Sequence, residues 1–153
     1  MKTILAVSVS LCFYTLTDIH IWQRIFETDQ LWQYAGVYHR GWYFSLYGMI
    51  ALGVLLLNGY QNKIFYGVSL YLLAFNGTND VLYYWLDGRP LPGRLEWLDF
   101  HKLILFKPVT DVSLLLSCLV WLSFLIVFYL LLRYLNRCVA VRAYDHFRIL
   151  WHG

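Results

Sequence analysis

One stretch of the chain has the length of a membrane span and carries polar side chains in its second half. It runs from Ile64 to Leu86, IFYGVSLYLLAFNGTNDVLYYWL, and Asp80 is its only charged residue. A carboxylate in the hydrocarbon core is costly because the bilayer offers no water to solvate it. Asp80 is therefore expected to face the interior of a helical bundle and to have a partner or a chemical task.

The polar residues of this stretch recur with the period of an α-helix. They lie at i, i+4, i+7 or i+8, and i+11, which places them on one side of the helix: Asn76, Asp80, Tyr83 or Tyr84, and Asp87. An ionised Asp80 needs a cation or several donors. Arg24 and His20, which the sequence places at the same level of the first helix, are its expected partners.

The composition indicates the class of protein. Sixty per cent of the residues are apolar and 14% are charged, and several windows reach the ~20 residues needed to cross a bilayer core of about 30 Å. We expect an all-α integral membrane protein, with four transmembrane helices in one compact bundle, a short interfacial or re-entrant helix, and a single domain over residues 1–153. The net charge of +3 is spread along the chain, which argues against a nucleic-acid partner.

The expected boundaries follow from apolar runs and helix breakers. Turn residues in DGRPLP, at positions 87–92, end the third helix. The basic and then apolar N-terminus also resembles a signal peptide, but no small-x-small cleavage pattern follows it. The predicted transmembrane helices are about 4–24, 42–60, 64–86 and 112–132, the interfacial helix is about 95–106, and a basic tail covers 133–153.

The orientation of this topology is inferred from the basic residues at the two ends of the chain. The 12 Lys and Arg residues divide evenly between the two sides, so the positive-inside rule does not decide. The basic tail and Lys2 favour both termini on the cytoplasmic side, where the leaflet is anionic. The three cysteines are far apart without CxxC spacing and are expected to be small buried apolar residues: Cys12, Cys118 and Cys138.

Acidic side chains concentrate at one end of the expected bundle. Eight of the nine carboxylates fall there: Asp18, Glu27, Asp29, Asp80, Asp87, Glu96, Asp99 and Asp111. Three of the five histidines join them: His20, His39 and His101. A metal-assisted or acid–base site requires such groups. Solvated loops also collect charged side chains, so both explanations fit the pattern. We expect the only sizeable polar cavity at this end.

The stretch WLDFHKLILFKPVTDVSLLL is similar to lipoprotein signal peptidases, four-helix membrane enzymes with two catalytic aspartates. Asp99 and Asp111 would be the matching positions. The asparagine-containing motifs of that family are absent and the two aspartates are close in sequence, so the sequence assigns the chain to no family.

Two classes of function remain open. The first is a non-catalytic membrane subunit or scaffold with a polar intramembrane cluster of Asp18, His20, Asn76, Asn79, Asp80 and Tyr83. The second is a membrane-embedded hydrolase-type enzyme acting on a lipid or lipid-linked substrate, with catalytic candidates Asp80, Asp99, Asp111 and His101 and metal candidates His20, Asp80 and His101. A proton or ion carrier that uses Asp80 is a third possibility. The expected partners are the lipid bilayer and either other membrane subunits or a second copy of the chain, and the sequence identifies no cofactor.

Overall fold

The computed structural model describes residues 2–23 and 35–152, with side chains described for residues 2–20 and 36–139. This part of the chain is all-helical, as expected, and contains no β-strand. Arg94 and Thr110 form a single isolated bridge.

Five α-helices and one short turn of 3₁₀-helix make up the described fold. They are α1 (Lys2–Thr17), α2 (Ala35–Leu56), α3 (Tyr60–Phe75), α4 (Thr78–Leu86), the 3₁₀ turn Glu96–Leu98 and α5 (Asp111–His152). α1 continues into a π-helical stretch, Asp18–Gln23. Residues 87–110 join α4 to α5 and are called the connection below.

α3 is the central helix, because it packs against α1, α2, α4 and α5. The main apolar core lies along it and is fully or nearly buried: Val7, Leu11, Tyr14, Leu46, Phe65, Tyr66, Leu70, Leu73, Ala74 and Leu125. A second core joins the connection to the start of α5: Leu95, Leu98, Ile104, Val109, Leu114 and Cys118. The connection is thus a packed part of the fold.

Tyr66 joins three helices at a point where α2 comes close to α3. Its ring occupies the space beside Gly53, where an added Cβ would lie 2.0 Å from a ring carbon. The hydroxyl group of Tyr66 lies 2.8 Å from Ser10 Oγ and 3.3 Å from the carbonyl oxygen of Met49. A small residue at position 53 is therefore required for this contact.

Two helical segments are long and apolar enough to cross a membrane, by length and composition. They are Lys2–His20, near the N-terminus, and Asp111–Val139. The segments α3 and α4 have 16 and nine residues, and each is shorter than the ~20 residues of a full span. The coarse prediction of a helical protein with apolar, membrane-length helices is confirmed, and the four-span bundle remains a prediction.

The helix predicted over residues 64–86 is broken at Asn76 and Gly77. Gly77 has φ 94°, a left-handed conformation that glycine adopts readily and that costs L-residues free energy. The side-chain carbonyl of Asn76 accepts a hydrogen bond from the Thr78 backbone N–H at 2.9 Å, which supports the restart of the helix at α4. Asn-Gly is a turn-forming pair, and here its turn preference prevails over the apolar pattern.

The interfacial helix predicted over residues 95–106 is also wrong, apart from the turn Glu96–Leu98. Asp99 organises the connection as a loop: its carboxylate accepts the Val109 N–H at 2.8 Å and pairs with Arg94. A short side chain that bonds the backbone in this way competes with helix formation.

α5 continues through the region predicted as a separate basic tail. It is 42 residues long, and its sequence contains neither Gly nor Pro to end it. Thr110 and Ser113 bond reciprocally through side chain and backbone at its start, which satisfies free N–H groups of the first turn. α2 begins at Ala35, seven residues before the expected start at Trp42.

Candidate functional site

A buried hydrogen bond joins α1 to α4 where polar side chains gather. Thr15 Oγ1 lies 2.8 Å from Asn79 Oδ1 and 2.9 Å from the carbonyl oxygen of Leu11. Thr15 is fully buried and Asn79 is 5% exposed. A bond of this kind between two helices fixes their relative position.

Asp18 lies next to this bond, at the start of the π-helical stretch. It is 6% exposed. Its Oδ1 accepts a hydrogen bond from the Tyr38 hydroxyl at 2.6 Å, and the side chain of Trp42 lies nearby. Tyr38 belongs to α2, so Asp18 connects α1 to α2 as Thr15 connects α1 to α4.

Asp80 lies in the first turn of α4 and faces the connection. The side chain of Trp97, from the connection, lies beside its carboxylate. Asp80 and Asp18 lie close enough to interact electrostatically. We call Thr15, Asp18, Asn79, Asp80 and Tyr38 the polar cluster.

The helix break adds polar groups beside the polar cluster. Asn76 is fully buried, and its Nδ2 has no hydrogen-bond partner among the described atoms. His101, in the connection, lies beside the backbone of Phe75, the last residue of α3. Carbonyl groups at the end of a helix lack an intrahelical partner, so the break brings such groups next to His101.

The environment of His101 favours its neutral form. Partial burial lowers the pKa of the imidazole from its ordinary value of 6.5 by disfavouring the charged ring. The adjacent backbone of Phe75 opposes this shift, and the nearby positive charge of Lys107 adds to it. A neutral imidazole with one N–H is sufficient to donate to a carbonyl.

The connection lies along the first turns of α5. The Leu105 backbone N–H donates to Ser117 Oγ at 3.2 Å, and Trp121 Nε1–H donates to the Leu103 carbonyl at 2.6 Å. Ser117 is about 9 Å along the helix axis from Asp111, at 1.5 Å per residue. The backbone around Leu103 therefore folds back beside α5, and its polar groups are bonded to that helix.

The remaining candidate residues have separate positions and partners. Asp99 is bonded to Arg94 and to the Val109 backbone, as described above. Asp111 Oδ1 accepts the Val112 N–H at 2.8 Å at the start of α5. His20 is exposed, and Tyr83 accepts a hydrogen bond from Arg89 at 3.2 Å.

The described side chains do not gather the metal candidates into one site. Within residues 2–20 and 36–139, no group of three or more His, Cys, Asp or Glu side chains is placed to hold a metal ion. His20, Asp80 and His101 are therefore not brought together as one ligand set there. Arg24, expected to pair with Asp80, lies outside the described residues, as do Glu27 and Asp29.

Three residues of the site were not predicted from the sequence. Thr15 and Tyr38 are bonded to expected members of the cluster, and Trp97 lies beside Asp80. Thr15 had a usable signal, since a hydroxyl on an otherwise apolar helix needs a partner. Tyr38 and Trp97 stand in aromatic-rich sequence, where no local pattern distinguishes them from interfacial anchors.

Two cavities between the described helices are apolar. One lies between α1, α3 and α5, and the other lies between α1 and α2 beside Tyr66. Neither is lined by a residue of the polar cluster, and the polar cavity expected at the acidic end remains a prediction.

Comparison of the chain with protein-family models, with curated proteins and with solved structures found no match. Function is therefore inferred below from the contacts of the chain itself.

Proposed function

We propose that this chain is a small multi-pass integral membrane protein that acts as a non-catalytic subunit or scaffold, with the polar cluster holding its helices together. The observation that carries the proposal is that four of the five side chains of the polar cluster are hydrogen-bonded to one another in pairs. Thr15 bonds Asn79, and Asp18 bonds Tyr38. Catalytic groups need lone pairs or protons available to a substrate.

The apolar surface of α5 supports a place in the membrane. Residues 112–132 contain no charged side chain, and 21 helical residues span about 31 Å, close to the ~30 Å of a hydrocarbon core. Their outward faces are exposed, for example Leu119 at 60%, Ile126 at 62% and Val127 at 64%. Lipid, other membrane subunits or a second copy of the chain would cover these faces.

In this arrangement α3 and α4 together form one discontinuous span. Non-helical backbone is tolerated at membrane depth only where protein or a water-filled cavity satisfies its polar groups. Asn76 supplies such a bond at the break, to the Thr78 N–H, and His101 lies beside the Phe75 backbone. The connection would enter the membrane beside α5, and both termini would lie in the cytoplasm.

A second candidate function rests on the pair of carboxylates in the cluster. Asp18 and Asp80 interact electrostatically, and two close carboxylates can divide the roles of acid and base in hydrolysis. The second candidate is therefore a membrane-embedded, aspartate- or metal-dependent hydrolase of a lipid or lipid-linked substrate. The first function has more support, because Asp18 is already engaged by Tyr38.

Replacement of Asp80 distinguishes these two functions. An Asp80→Asn variant keeps a polar oxygen at this position of the polar cluster, so a scaffold should retain nearly wild-type thermal stability. Asp80→Leu places an apolar side chain among polar neighbours and should lower the melting temperature by a few degrees. The exposed Asp87→Asn variant is the charge-matched control.

Metal analysis of the same purified proteins tests the enzyme function. A stoichiometric metal ion in the wild type that is lost in Asp80→Asn but kept in Asp87→Asn would favour the enzyme. Equal stability of Asp80→Asn and Asp80→Leu would contradict the structural role of the carboxylate.

The topology is tested with single cysteines introduced after Cys12, Cys118 and Cys138 are replaced. Asn58 lies between α2 and α3, and Gly93 lies in the connection, and both are exposed. With four spans, Asn58→Cys and Gly93→Cys should react with a membrane-impermeant thiol reagent from opposite sides of sealed vesicles. Reaction of both from the same side would refute the four-span arrangement.

A further inference from the structure

An apolar groove lies between α1, α3 and α5. Its volume is about 350 Å³, within the usual range for ligand pockets. The residues that line it recur every three or four positions on each helix, so one face of each helix is turned toward it. On α3 these residues are Phe65, Ser69 and Leu73, and on α1 they include Ile4 and Ser8.

The groove is narrow compared with a helix. It follows α5 from Leu122 to Leu130, which is about 12 Å at 1.5 Å per residue. A volume of about 350 Å³ over this length gives a mean cross-section of roughly 30 Å². An α-helix with its side chains is about 10–12 Å across and would need roughly 80–110 Å². The groove therefore admits a linear or flat molecule and is too narrow for a helix of a partner.

A serine hydroxyl group at the floor of the groove lacks a partner in the described chain. Ser69 is 1% exposed, and its Oγ has no hydrogen-bond partner among the described atoms. Ser69 lies one helical turn from both Phe65 and Leu73, which line the groove on either side of it. Ser8 faces the same groove from α1.

Other hydroxyl groups on the helices of this chain are satisfied within their own helix. Thr15, Thr17 and Ser123 each donate to the carbonyl oxygen four residues earlier, at 2.9, 2.9 and 2.8 Å. Ser69 makes no such bond. A buried hydroxyl group without a partner is unfavourable, so we expect the occupant of the groove to supply one.

The groove lies inside the hydrocarbon region of the proposed membrane spans. Ser8 is six residues from Lys2, which is about 9 Å along α1, and Leu125 is seven residues, about 10 Å, before Leu132. The ester groups of phospholipids lie in the interfacial region outside the hydrocarbon core. A molecule that bonds Ser69 must therefore carry an oxygen atom within its apolar body.

We propose that this groove binds a neutral lipophilic molecule with a carbonyl group inside its apolar body, which accepts hydrogen bonds from Ser69 and Ser8. A carbonyl oxygen has two lone pairs, so it can accept from both hydroxyl groups. Rotation about the Cα–Cβ bond of each serine turns its hydroxyl group toward the groove without moving the backbone. The proposal rests on the membrane location proposed above.

The carbonyl group is tested with diheptyl ketone and pentadecane, which have the same chain length and differ in one oxygen atom. The full chain in mild detergent is titrated with each probe, and the retained probe is measured by gas chromatography and mass spectrometry after size exclusion. The wild type should hold one ketone about tenfold more tightly than the alkane. Ser69→Ala should lose most of this preference without weaker retention of pentadecane. Ser123→Ala, whose hydroxyl group bonds Leu119, is the control and should bind both probes as the wild type does.

The groove itself is tested by filling it. Ser8 lines the groove, and Ser8→Phe should reduce retention of both probes about tenfold. Leu5 is 65% exposed and does not line it, so Leu5→Phe is the size-matched control and should bind as the wild type does. Circular dichroism of each variant checks that the helices are retained, and the comparison of ketone with alkane in the wild type needs no variant.

Three results would overturn the proposal. The first is equal retention of ketone and alkane by a wild type that inserts into lipid vesicles, and the second is an equal effect of Ser69→Ala and Ser123→Ala. The third is a wild-type dimer that Ser8→Phe converts to a monomer without loss of ketone, which would make the groove an interface between copies. Failure of the wild type to insert into vesicles would refute the membrane location, and the proposal with it.

Discussion

Replacing Gly77 by alanine tests the break between α3 and α4, on which the candidate site depends. Gly77 has φ 94°, and a Cβ atom there would lie 2.2 Å from Leu114 Cδ1 and 3.2 Å from Leu114 Cγ. Leu114 is itself fully buried in the second core. The methyl group therefore meets both an unfavourable backbone conformation and a packed side chain.

The expected destabilisation is the sum of these two effects. A left-handed conformation costs an L-residue about 1–2 kcal/mol. Overpacking of a filled core costs about 1–3 kcal/mol more. The total of roughly 2–5 kcal/mol corresponds to a fall in melting temperature of about 5–15 °C for a chain of this size.

If the helix were uninterrupted, Gly77→Ala would be expected to stabilise the protein. Within a regular α-helix, replacing Gly by Ala stabilises the protein by about 1 kcal/mol. The melting temperature of Gly77→Ala would then rise by a few degrees. The direction of the change therefore distinguishes the broken helix from the continuous helix that the apolar pattern predicts.

The assay is thermal unfolding of the purified protein in detergent, with Gly88→Ala as a matched control. Gly88 has φ 72°, but nothing lies within 4 Å of its added Cβ, so it should show the backbone cost alone. In Gly77→Ala/Leu114→Ala the clash is removed, and the double variant should lose less stability than the sum of the two single variants. A Gly77→Ala protein as stable as Gly88→Ala would refute the close contact with Leu114.

Two further predictions use the same measurement. Thr15→Val and Asn79→Leu should each lower the free energy of unfolding by about 1–3 kcal/mol, because each leaves a buried polar partner unsatisfied. The double-mutant cycle should give a coupling energy of about 0.5–1.7 kcal/mol. A coupling energy of zero would contradict their hydrogen bond. Because burial lowers the pKa of His101, its contribution to stability is complete above about pH 6.5 and is lost as the pH falls through the lowered value. Between pH 7.5 and 5.5 the loss of unfolding free energy should be below about 1 kcal/mol, since the ring is partly exposed. The loss should be smaller in His101→Gln, whose amide can still donate to Phe75. An equal loss in this variant would exclude His101 as the cause of the pH dependence.

Helical periodicity and helix breakers predicted much of the local structure. The end of α4 at Leu86 matches the boundary predicted from DGRPLP, because Gly88 and the prolines cannot continue a helix. The residues Asn79 and Asp80 were identified as polar groups on a membrane-length apolar stretch, and the structure bonds Asn79 to Thr15. These predictions depend on local sequence alone.

The partners of the carboxylates could not be predicted in the same way. Asp80 was expected to bond Arg24 or His20, and the described side chain beside it is Trp97, which the folding of the connection brings to α4. Asp18 is bonded to Tyr38, a residue 20 positions later that α2 brings to its side. Such contacts depend on how segments pack, and the sequence contains several aromatic residues equally suited to each position.

The break and the connection form one structural unit, because each packs against the other. The break leaves backbone groups at the end of α3 without an intrahelical partner, and His101 from the connection lies beside Phe75 there. The lack of a side chain at Gly77 in turn leaves space for Leu114, and Ile104 packs on the same position. A continuous helix would displace Leu114, so the connection could not pack as it does. The Asn-Gly pair and the loop around Asp99 therefore depend on each other, and an apolar pattern read segment by segment does not contain this dependence.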